Sequence, residues 1–299
     1  MPDSLSTVSG DLTTPKISWS AIARLIRLRN QTGTWLLLLP TMWSLVLAAR
    51  GIPPLRLILT FMIGSFLMRS AGVVLNDLTD RSFDRHIART RTRPLASKEL
   101  SPKHAVLTAA VLIVAAGLLV MTLNSLSILL SPVALLLAGL YPFAKRMIHV
   151  PQAMLGIAFG WGAIMAWAAS RGTIEAPAWL LFFATVCWAT AYDTIYALQD
   201  QDDDRRIGVK SAAILFGNRT WIAVGLFLGS MLMLLGLAGW ATDIGWMHYV
   251  VLAAMAVFCL RQAIELRETI SASRAFHLFH QHVWIGSAIL AGILAGFVS

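Results

Sequence analysis

The sequence predicts an all-α, polytopic membrane protein with nine transmembrane helices. Its 299 residues are 57% hydrophobic and only 13% charged, with a mean hydropathy of +0.70, whereas about 25% of the residues in a soluble domain are charged. The apolar residues form long runs, and the charged residues are concentrated between those runs. This composition excludes a soluble globule, a disordered chain and, with only two cysteines, a secreted disulfide scaffold.

Nine apolar segments are candidate spans, because a helix needs roughly 20 apolar residues to cross a bilayer core. They cover approximately residues 33–49, 55–75, 102–123, 127–143, 150–169, 178–198, 220–241, 246–261 and 283–298. The runs are apolar on nearly every face, as helices in lipid or inside a bundle are. Ser101 followed by Pro102 is typical of a helix start. Residues 1–19 are polar, and we expect no cleavable signal peptide there.

The charges of the loops predict the orientation. Most of the 24 lysines and arginines fall in alternate loops, beginning with the segment that contains Arg24 and Arg27. Because basic loops face the cytoplasm, the N-terminus is predicted to be cytoplasmic. We expect one integral-membrane domain over residues 1–299, with cytoplasmic loops at 76–101 and 199–219. Since the bases are spread among the loops, a membrane explains the net charge of +9 more simply than nucleic-acid binding does.

The 15 acidic residues include two clusters, each of which follows a predicted span. On a helix, two sets of residues would each share one face: Asp77, Asp80 and Asp84 in the first, and Asp193, Tyr196, Asp200 and Asp204 in the second. Carboxylates at this spacing repel one another unless a cation lies between them. Mg²⁺ is commonly held by carboxylates together with substrate phosphates. We therefore predict that the clusters bind Mg²⁺ and a diphosphate through Asp77, Asp80, Asp84, Asp200 and Asp204. The alternative is that these are solvated loop acids that balance nearby arginines.

Other polar residues are candidates for contact with an anionic substrate: Asn76, Arg81, Arg93, Tyr141, Lys145, Arg146, Tyr196 and Lys210. Arginine binds phosphate bidentately and lysine acts as a point charge, although the cytoplasmic loops of any membrane protein are basic. Arg69 and Asp193 differ because they lie inside predicted spans, where an ionisable residue indicates function. For Arg69 we expect a carboxylate or the substrate as the partner.

These motifs resemble those of the UbiA family of intramembrane prenyltransferases. The first signature of that family, Asn-Asp-x-x-Asp-x-x-x-Asp, stands here at 76–84, and the second, Asp-x-x-x-Asp, at 200–204. Three further segments resemble the branch of the family that uses 4-hydroxybenzoate: 141–146, 192–197 and 210–217.

The resemblance implies a nine-helix bundle around a central cavity with a lateral opening to lipid. It implies that Mg²⁺ bridges the aspartates to a polyprenyl diphosphate, whose prenyl group is transferred to the ring carbon ortho to the hydroxyl of 4-hydroxybenzoate, a step of ubiquinone biosynthesis. Asp193 becomes a candidate for activating the phenol, and Lys145 or Arg146 for binding the benzoate carboxylate. The implied location is the inner membrane of a bacterium, and no nucleic acid or protein partner is expected.

Three other functions stay open from the sequence. A sibling enzyme would use homogentisate, a naphthoate, haem or a sugar phosphate as its acceptor, because the acidic motifs serve only the shared diphosphate. A transporter is disfavoured, since its intramembrane acids belong near the midplane of the bilayer and these clusters lie at one surface. A non-catalytic prenyl-lipid binding protein would lack any turnover that depends on Mg²⁺.

Overall fold

The computed structural model describes residues 18–87 and 89–299, without the side chains of Lys145, Arg146 and Ile207. In this part of the chain the regular secondary structure is entirely helical: α1 (Trp19–Leu25), α2 (Thr32–Ala49), α3 (Leu55–Asp84), α4 (Pro102–Val120), α5 (Ser125–Met147), α6 (Pro151–Arg171), α7 (Ala176–Ala197), α8 (Gln201–Ile207), α9 (Ala212–Phe216), α10 (Thr220–Ala241), α11 (Trp246–Glu265) and α12 (Ala272–Gly296). The all-α prediction is confirmed.

Nine helices of the described chain are long and apolar enough to cross a membrane. These are α2 to α7 and α10 to α12, in the order of the nine predicted spans. Ser101 caps α4 as its sequence indicates, because its hydroxyl accepts a hydrogen bond from the His104 backbone at 3.4 Å. The number of spans is confirmed, and the cytoplasmic placement of the N-terminus stays a prediction.

The structure corrects the boundary at residue 76, where we expected a cytoplasmic loop to begin. α3 is 30 residues long and continues to Asp84, so that its last turns carry the whole first aspartate motif. The helix extends beyond the apolar run, and Asp77, Asp80 and Asp84 all lie on its buried side. The three carboxylates therefore share one helical face, as their spacing indicates.

The second cluster is built differently from the prediction. α7 ends at Ala197 and α8 begins at Gln201. Asp193 and Asp204 consequently belong to different helices, and the single face predicted for them does not form. Asp200 lies at the break between the two helices.

The last span is also longer than the prediction. α12 begins at Ala272 rather than near residue 283. Ser271 caps this earlier start, because its hydroxyl accepts a hydrogen bond from the Arg274 backbone at 3.2 Å. The additional turns bring the start of α12 to the same end of the bundle as the aspartate clusters, where they line the cavity described below.

Each of the nine long helices contacts the next one along the chain, and α2 packs against both α6 and α12. One side is densely packed around Trp43 and Trp188, whose ring centroids are 4.8 Å apart. On that side α6 and α7 approach each other closely at Gly156, where an added Cβ would lie 2.8 Å from the backbone of Val186. Small residues allow such close packing of helices. On the other side α4 and α5 bury few of their side chains.

α1 and the turns after α3 cover the aspartate end of the bundle. Leu25 of α1 packs with Val74 of α3 and with Leu95 of the turn segment. Arg27 follows α1 with a φ of 57°, in the left-handed region that few residues other than glycine adopt. This arrangement places Arg27 and Arg93 over the first aspartate motif.

Candidate active site

A cavity of about 1050 Å³ lies inside the bundle and is lined by α2 to α7 and the start of α12. One end is polar and contains Asn76 and Asp77. The other end is apolar and reaches Phe61, near the start of α3. Residues from the connecting segments line the polar end: Arg27, Asn30, Arg89 and Arg93. Charged side chains therefore meet at one end of a long apolar chamber.

Asp77 is at the centre of a network of buried ion pairs. Arg27 Nη2 donates to both of its carboxylate oxygens, at 3.0 and 2.9 Å. Arg93 Nη1 donates to Asp77 Oδ1 at 3.0 Å and to Asp84 Oδ2 at 2.9 Å. The side chains of Asp77 and Asp84 are only 2% and 7% exposed, so the arginines supply the opposite charge that buried carboxylates require.

Arg89 contacts the second cluster. Its Nε donates to Asp200 Oδ1 at 3.0 Å, its Nη2 to Oδ2 at 2.5 Å, and its Nη1 to the Tyr196 hydroxyl at 3.0 Å. Burial lowers the pKa of Arg89, but its hydrogen bonds and charge interactions with Asp200 and Tyr196 outweigh burial and raise the pKa above its usual value. Because Arg89 and Arg93 belong to one short segment, that segment connects both aspartate clusters at the same end of the cavity.

Two polar residues deeper in the cavity have unpaired atoms. Arg69 lies against Gly33 of α2, where any Cβ would collide with its guanidinium group. Its Nη1 and the hydroxyl of Tyr192 are inaccessible to solvent, and neither has a hydrogen-bond partner in the part of the chain that the structure describes. Tyr141 and Asp193 line the same cavity. Buried polar atoms normally have partners, so these positions are suited to a bound ligand.

The cavity brings together many of the predicted site residues: Arg69, Asn76, Asp77, Arg93, Tyr141, Asp193 and Tyr196. Asp84 and Asp200 are joined to that lining by Arg93 and Arg89. Asp80 is buried on the same face of α3 as Asp77.

The remaining predicted residues lie outside the lining. Arg81 is exposed, and Lys210 Nζ donates to the Met147 carbonyl at 3.3 Å. Asp204 is half-buried in α8, with its backbone bonded to the Asp200 carbonyl at 2.8 Å. The side chains of Lys145 and Arg146, which we expected to bind an anion, are outside the described residues.

Three of the five predicted metal ligands, Asp77, Asp84 and Asp200, are paired with arginines. Within the described residues, no three side chains of His, Cys, Asp or Glu are grouped so that they could hold one ion together. Asp77 and Asp84 contact Arg93, and Asp200 contacts Arg89. The set of Mg²⁺ ligands therefore stays a prediction.

Arg27 and Arg89 are site residues that the sequence alone did not single out. Arg27 pairs with a carboxylate 50 residues away, and its context indicates only an interfacial helix. Arg89 precedes Arg93 in a run with three arginines, which is a usable signal for an anion site.

The model of the UbiA prenyltransferase family matches residues 37–286. This chain belongs to that family. The match includes both aspartate clusters and nearly all of the spans that form the cavity, and it confirms the resemblance drawn from the motifs.

Curated relatives cover almost the whole chain. A protein from Pseudomonas aeruginosa (strain UCBPP-PA14) named 4-hydroxybenzoate octaprenyltransferase is 43% identical over 280 residues, which are 94% of each chain. A protein of the same name from Cupriavidus pinatubonensis is 45% identical over 275 residues, 92% of this chain and 96% of its own.

Solved structures of UbiA homologues share the fold. An apo structure from Aeropyrum pernix K1 superposes with a TM-score of 0.75 at 26% identity, covering 87% of this chain and 97% of the other. A structure from Archaeoglobus fulgidus bound to GPP and Mg²⁺ superposes with a TM-score of 0.67, covering 93% and 100%. At 16% identity, the second comparison concerns the fold alone.

Proposed function

We propose that this UbiA family member transfers a polyprenyl group from polyprenyl diphosphate to the ring carbon ortho to the hydroxyl of 4-hydroxybenzoate, a step of ubiquinone biosynthesis in a bacterial inner membrane. One observation carries the proposal. Buried aspartates and arginines meet at one end of an apolar cavity that extends along most of α3. The polar end suits a diphosphate and the apolar end a prenyl chain. The relatives' name supplies the acceptor.

We propose Mg²⁺ as the cofactor, because the donor set fits it. Mg²⁺ takes oxygen ligands, commonly one or two carboxylates and substrate phosphates, and α3 offers three buried carboxylates on one face. The residues that would hold the ion are Asp77, Asp80, Asp84, Asp200 and Asp204. When bound, Mg²⁺ supplies positive charge that stabilises the leaving diphosphate. The archaeal homologue bound to GPP and Mg²⁺ supports this choice.

The arginines at the polar end would bind the diphosphate. Arg27, Arg89 and Arg93 all line the cavity and already contact carboxylates. Guanidinium groups bind phosphate oxygens with the same two-donor geometry. On substrate binding, these side chains exchange carboxylate oxygens for diphosphate oxygens, which frees the aspartates for their role as ligands.

The proposed transfer breaks one bond, forms another and releases one proton. The bond between the first prenyl carbon and the diphosphate oxygen breaks, and the electron pair leaves with the diphosphate. The ring carbon ortho to the hydroxyl then bonds to the prenyl carbon, and the ring proton passes to a base, which restores aromaticity. Asp193 lines the cavity and would activate the phenol. Lys145 or Arg146, at the end of α5, would bind the benzoate carboxylate.

The aromatic residues of the polar end would protect the positive prenyl carbon. Tyr196 and Phe279 line the cavity with their ring centroids 4.7 Å apart. Aromatic faces attract cations, and the surrounding apolar lining excludes the water that would hydrolyse the intermediate.

The test uses membranes that contain the protein, Mg²⁺, a long-chain polyprenyl diphosphate and a panel of phenolic acids, with products identified by mass spectrometry. We expect prenylated 4-hydroxybenzoate, lost on chelation of Mg²⁺ and in Asp77→Asn. Asp243→Asn is the control, because Asp243 is exposed and pairs with Arg50 in a different part of the molecule. Prenylation of a different acceptor alone would overturn the assigned acceptor, and ion flux without any prenylated product would favour a transporter.

A further inference from the structure

A second hollow lies on the outside of the bundle, where the start of α2, the second half of α11 and the start of α12 meet. Its volume is about 530 Å³, within the range of about 300–1,000 Å³ that is typical of ligand pockets. We call it the outer groove. The residues that line it are Thr32, Trp35, Phe258, His277, His280, Gln281, Val283 and Trp284. Only Thr32 among them also lines the cavity.

The outer groove has a polar part and an apolar part. His277, His280 and Gln281 share one face of α12, because they are spaced three and four residues apart, and Trp284 continues this face away from the aspartate end. Trp35 and Trp284 flank the groove with side chains that are 47% and 78% exposed. Exposed tryptophans are typical of the boundary between a membrane and water. This places the polar part of the groove at the level of the lipid headgroups.

The polar part of the groove offers hydrogen-bonding groups to a ligand. The side-chain oxygen of Gln281 accepts a hydrogen bond from Gln262 Nε2 at 3.3 Å, and no described residue accepts one from the Gln281 amide nitrogen. His280 Nδ1 contacts the Thr32 hydroxyl at 3.2 Å, which leaves the other ring nitrogen for another partner. His277 is exposed.

The charge beside the groove is positive. Arg261 follows Phe258 by three residues, so the two side chains are neighbours on the surface of α11. Arg261 is exposed and has no ion pair within the part of the chain that the structure describes. Glu265 lies close enough to interact with His277, but Arg274 contacts both of its carboxylate oxygens. The acid is therefore already balanced, and Arg261 remains to attract an anion.

A thin wall separates the outer groove from the cavity. Thr32 lines both hollows. The ring of His280 packs edge-on against that of Phe276, a cavity residue, with 4.4 Å between the centroids. The wall consists of the starts of α2 and α12, and a ligand in the groove would contact both helices.

We propose that the outer groove binds the headgroup of an anionic phospholipid. The lipid phosphate lies at Arg261 and His277, and the first part of the acyl chains lies along Phe258 and Trp284. Basic pockets between transmembrane helices bind anionic headgroups in this way. The bound lipid bridges α2, α11 and α12 and so stabilises the wall of the cavity. This site goes beyond the proposed prenyl transfer and does not depend on it.

The test titrates the purified full-length protein in detergent with dioleoyl phosphatidylglycerol or with zwitterionic dioleoyl phosphatidylcholine, and measures bound lipid by native mass spectrometry. We expect one phosphatidylglycerol to bind on the order of tenfold more tightly than phosphatidylcholine. Arg261→Gln should remove most of this preference, because a hydrogen bond to a charged group contributes about that much. Arg206→Gln is the matched control, since Arg206 is an exposed arginine of α8 outside the groove, and it should keep the preference.

Two further variants separate the headgroup from the chains. His277 and Trp284 are both exposed, so their substitution should not disturb the fold. His277→Ala should weaken phosphatidylglycerol selectively, whereas Trp284→Ala should weaken both lipids. Phosphatidylglycerol should also raise the melting temperature of the parent more than that of Arg261→Gln.

Equal affinity of the parent for the two lipids would overturn the inference, and so would an unchanged preference in both Arg261→Gln and His277→Ala. Displacement of the lipid by an equal concentration of inorganic phosphate would also overturn it, because the groove would then be a site for free phosphate. The measurement is of binding alone, so its failure would leave the proposed prenyl transfer untouched.

Discussion

Both acidic clusters consist of aspartates, but the helices and ion pairs that hold those aspartates in place differ. The first lies on one continuous helix, α3, with Asp77 and Asp84 almost fully buried and joined by Arg93. The second lies at the break between α7 and α8, where the Asp200 side chain is 18% exposed and contacts Arg89. The packing of a long helix positions the first cluster, whereas one partly exposed arginine holds Asp200.

From this difference we expect the two clusters to contribute unequally to the proposed reaction. α3 holds the carboxylates of the first cluster in place even when their arginines move to the diphosphate, and groups that are already in place stabilise developing charge most effectively. A more exposed group at the break between two helices contributes less before the substrate arrives. We therefore expect substitutions in the first cluster to have larger effects than the same substitutions in the second.

The largest expected effect is that of Asp77→Asn. The amide keeps the shape of the side chain but removes the charge that faces Arg27 and Arg93, and we expect kcat/KM to fall on the order of 10³-fold. Steady-state prenylation in membranes measures the change. Asp203→Asn serves as the control, because Asp203 pairs with Arg206 of the same helix, is 45% exposed and lies outside the cavity lining. A loss below tenfold in Asp77→Asn would contradict the role given to the first cluster.

We expect the contacts of Arg93 with the first cluster to stabilise the protein more than the contact of Arg89 with Asp200 does. Arg93→Gln leaves two buried carboxylates without their shared charge, and breaking a buried pair costs about 3–5 kcal/mol. Arg89→Gln breaks a pair whose arginine is 40% exposed, and such pairs contribute about 1 kcal/mol or less. Thermal unfolding in detergent without substrate should show the larger decrease in melting temperature for Arg93→Gln. Equal decreases would mean that the two clusters are supported equally.

Asp200→Asn should have an intermediate effect on activity. Loss of a group that supports a metal site typically costs about 10- to 100-fold in metal affinity or activity, which is one to two orders of magnitude below the effect expected at Asp77. The measurement is the Mg²⁺ concentration that gives half-maximal prenylation, which should rise in Asp200→Asn. A loss as large as that of Asp77→Asn would remove the distinction between the clusters.

Sequence patterns predicted the parts of this molecule that depend on local chemistry. The nine apolar runs and the spacing of Asp77, Asp80 and Asp84 each follow from the physics of a single helix. The contact of Arg27 with Asp77 depends on how α1 packs on α3, and no local pattern encodes that packing. The break after Ala197 was missed for a related reason, because a run of polar residues is compatible with either a continued helix or a turn.

The smallest expected effect comes from Gly33→Ala, which tests how Arg69 is positioned beside the first cluster. A Cβ at Gly33 would collide with the guanidinium group of Arg69, so that side chain must shift away from α2. Because Arg69 is long and flexible, we expect the fold to be retained. Arg69 lines the cavity together with Asp193, which we propose activates the phenol, so we expect the KM for the acceptor to rise by about tenfold or less, with little change in the KM for the prenyl donor. Gly225→Ala is a matched control, since its added Cβ would make only ordinary contact with Ala263 at 3.5 Å. A selective rise in KM for the prenyl donor would instead place Arg69 at the diphosphate.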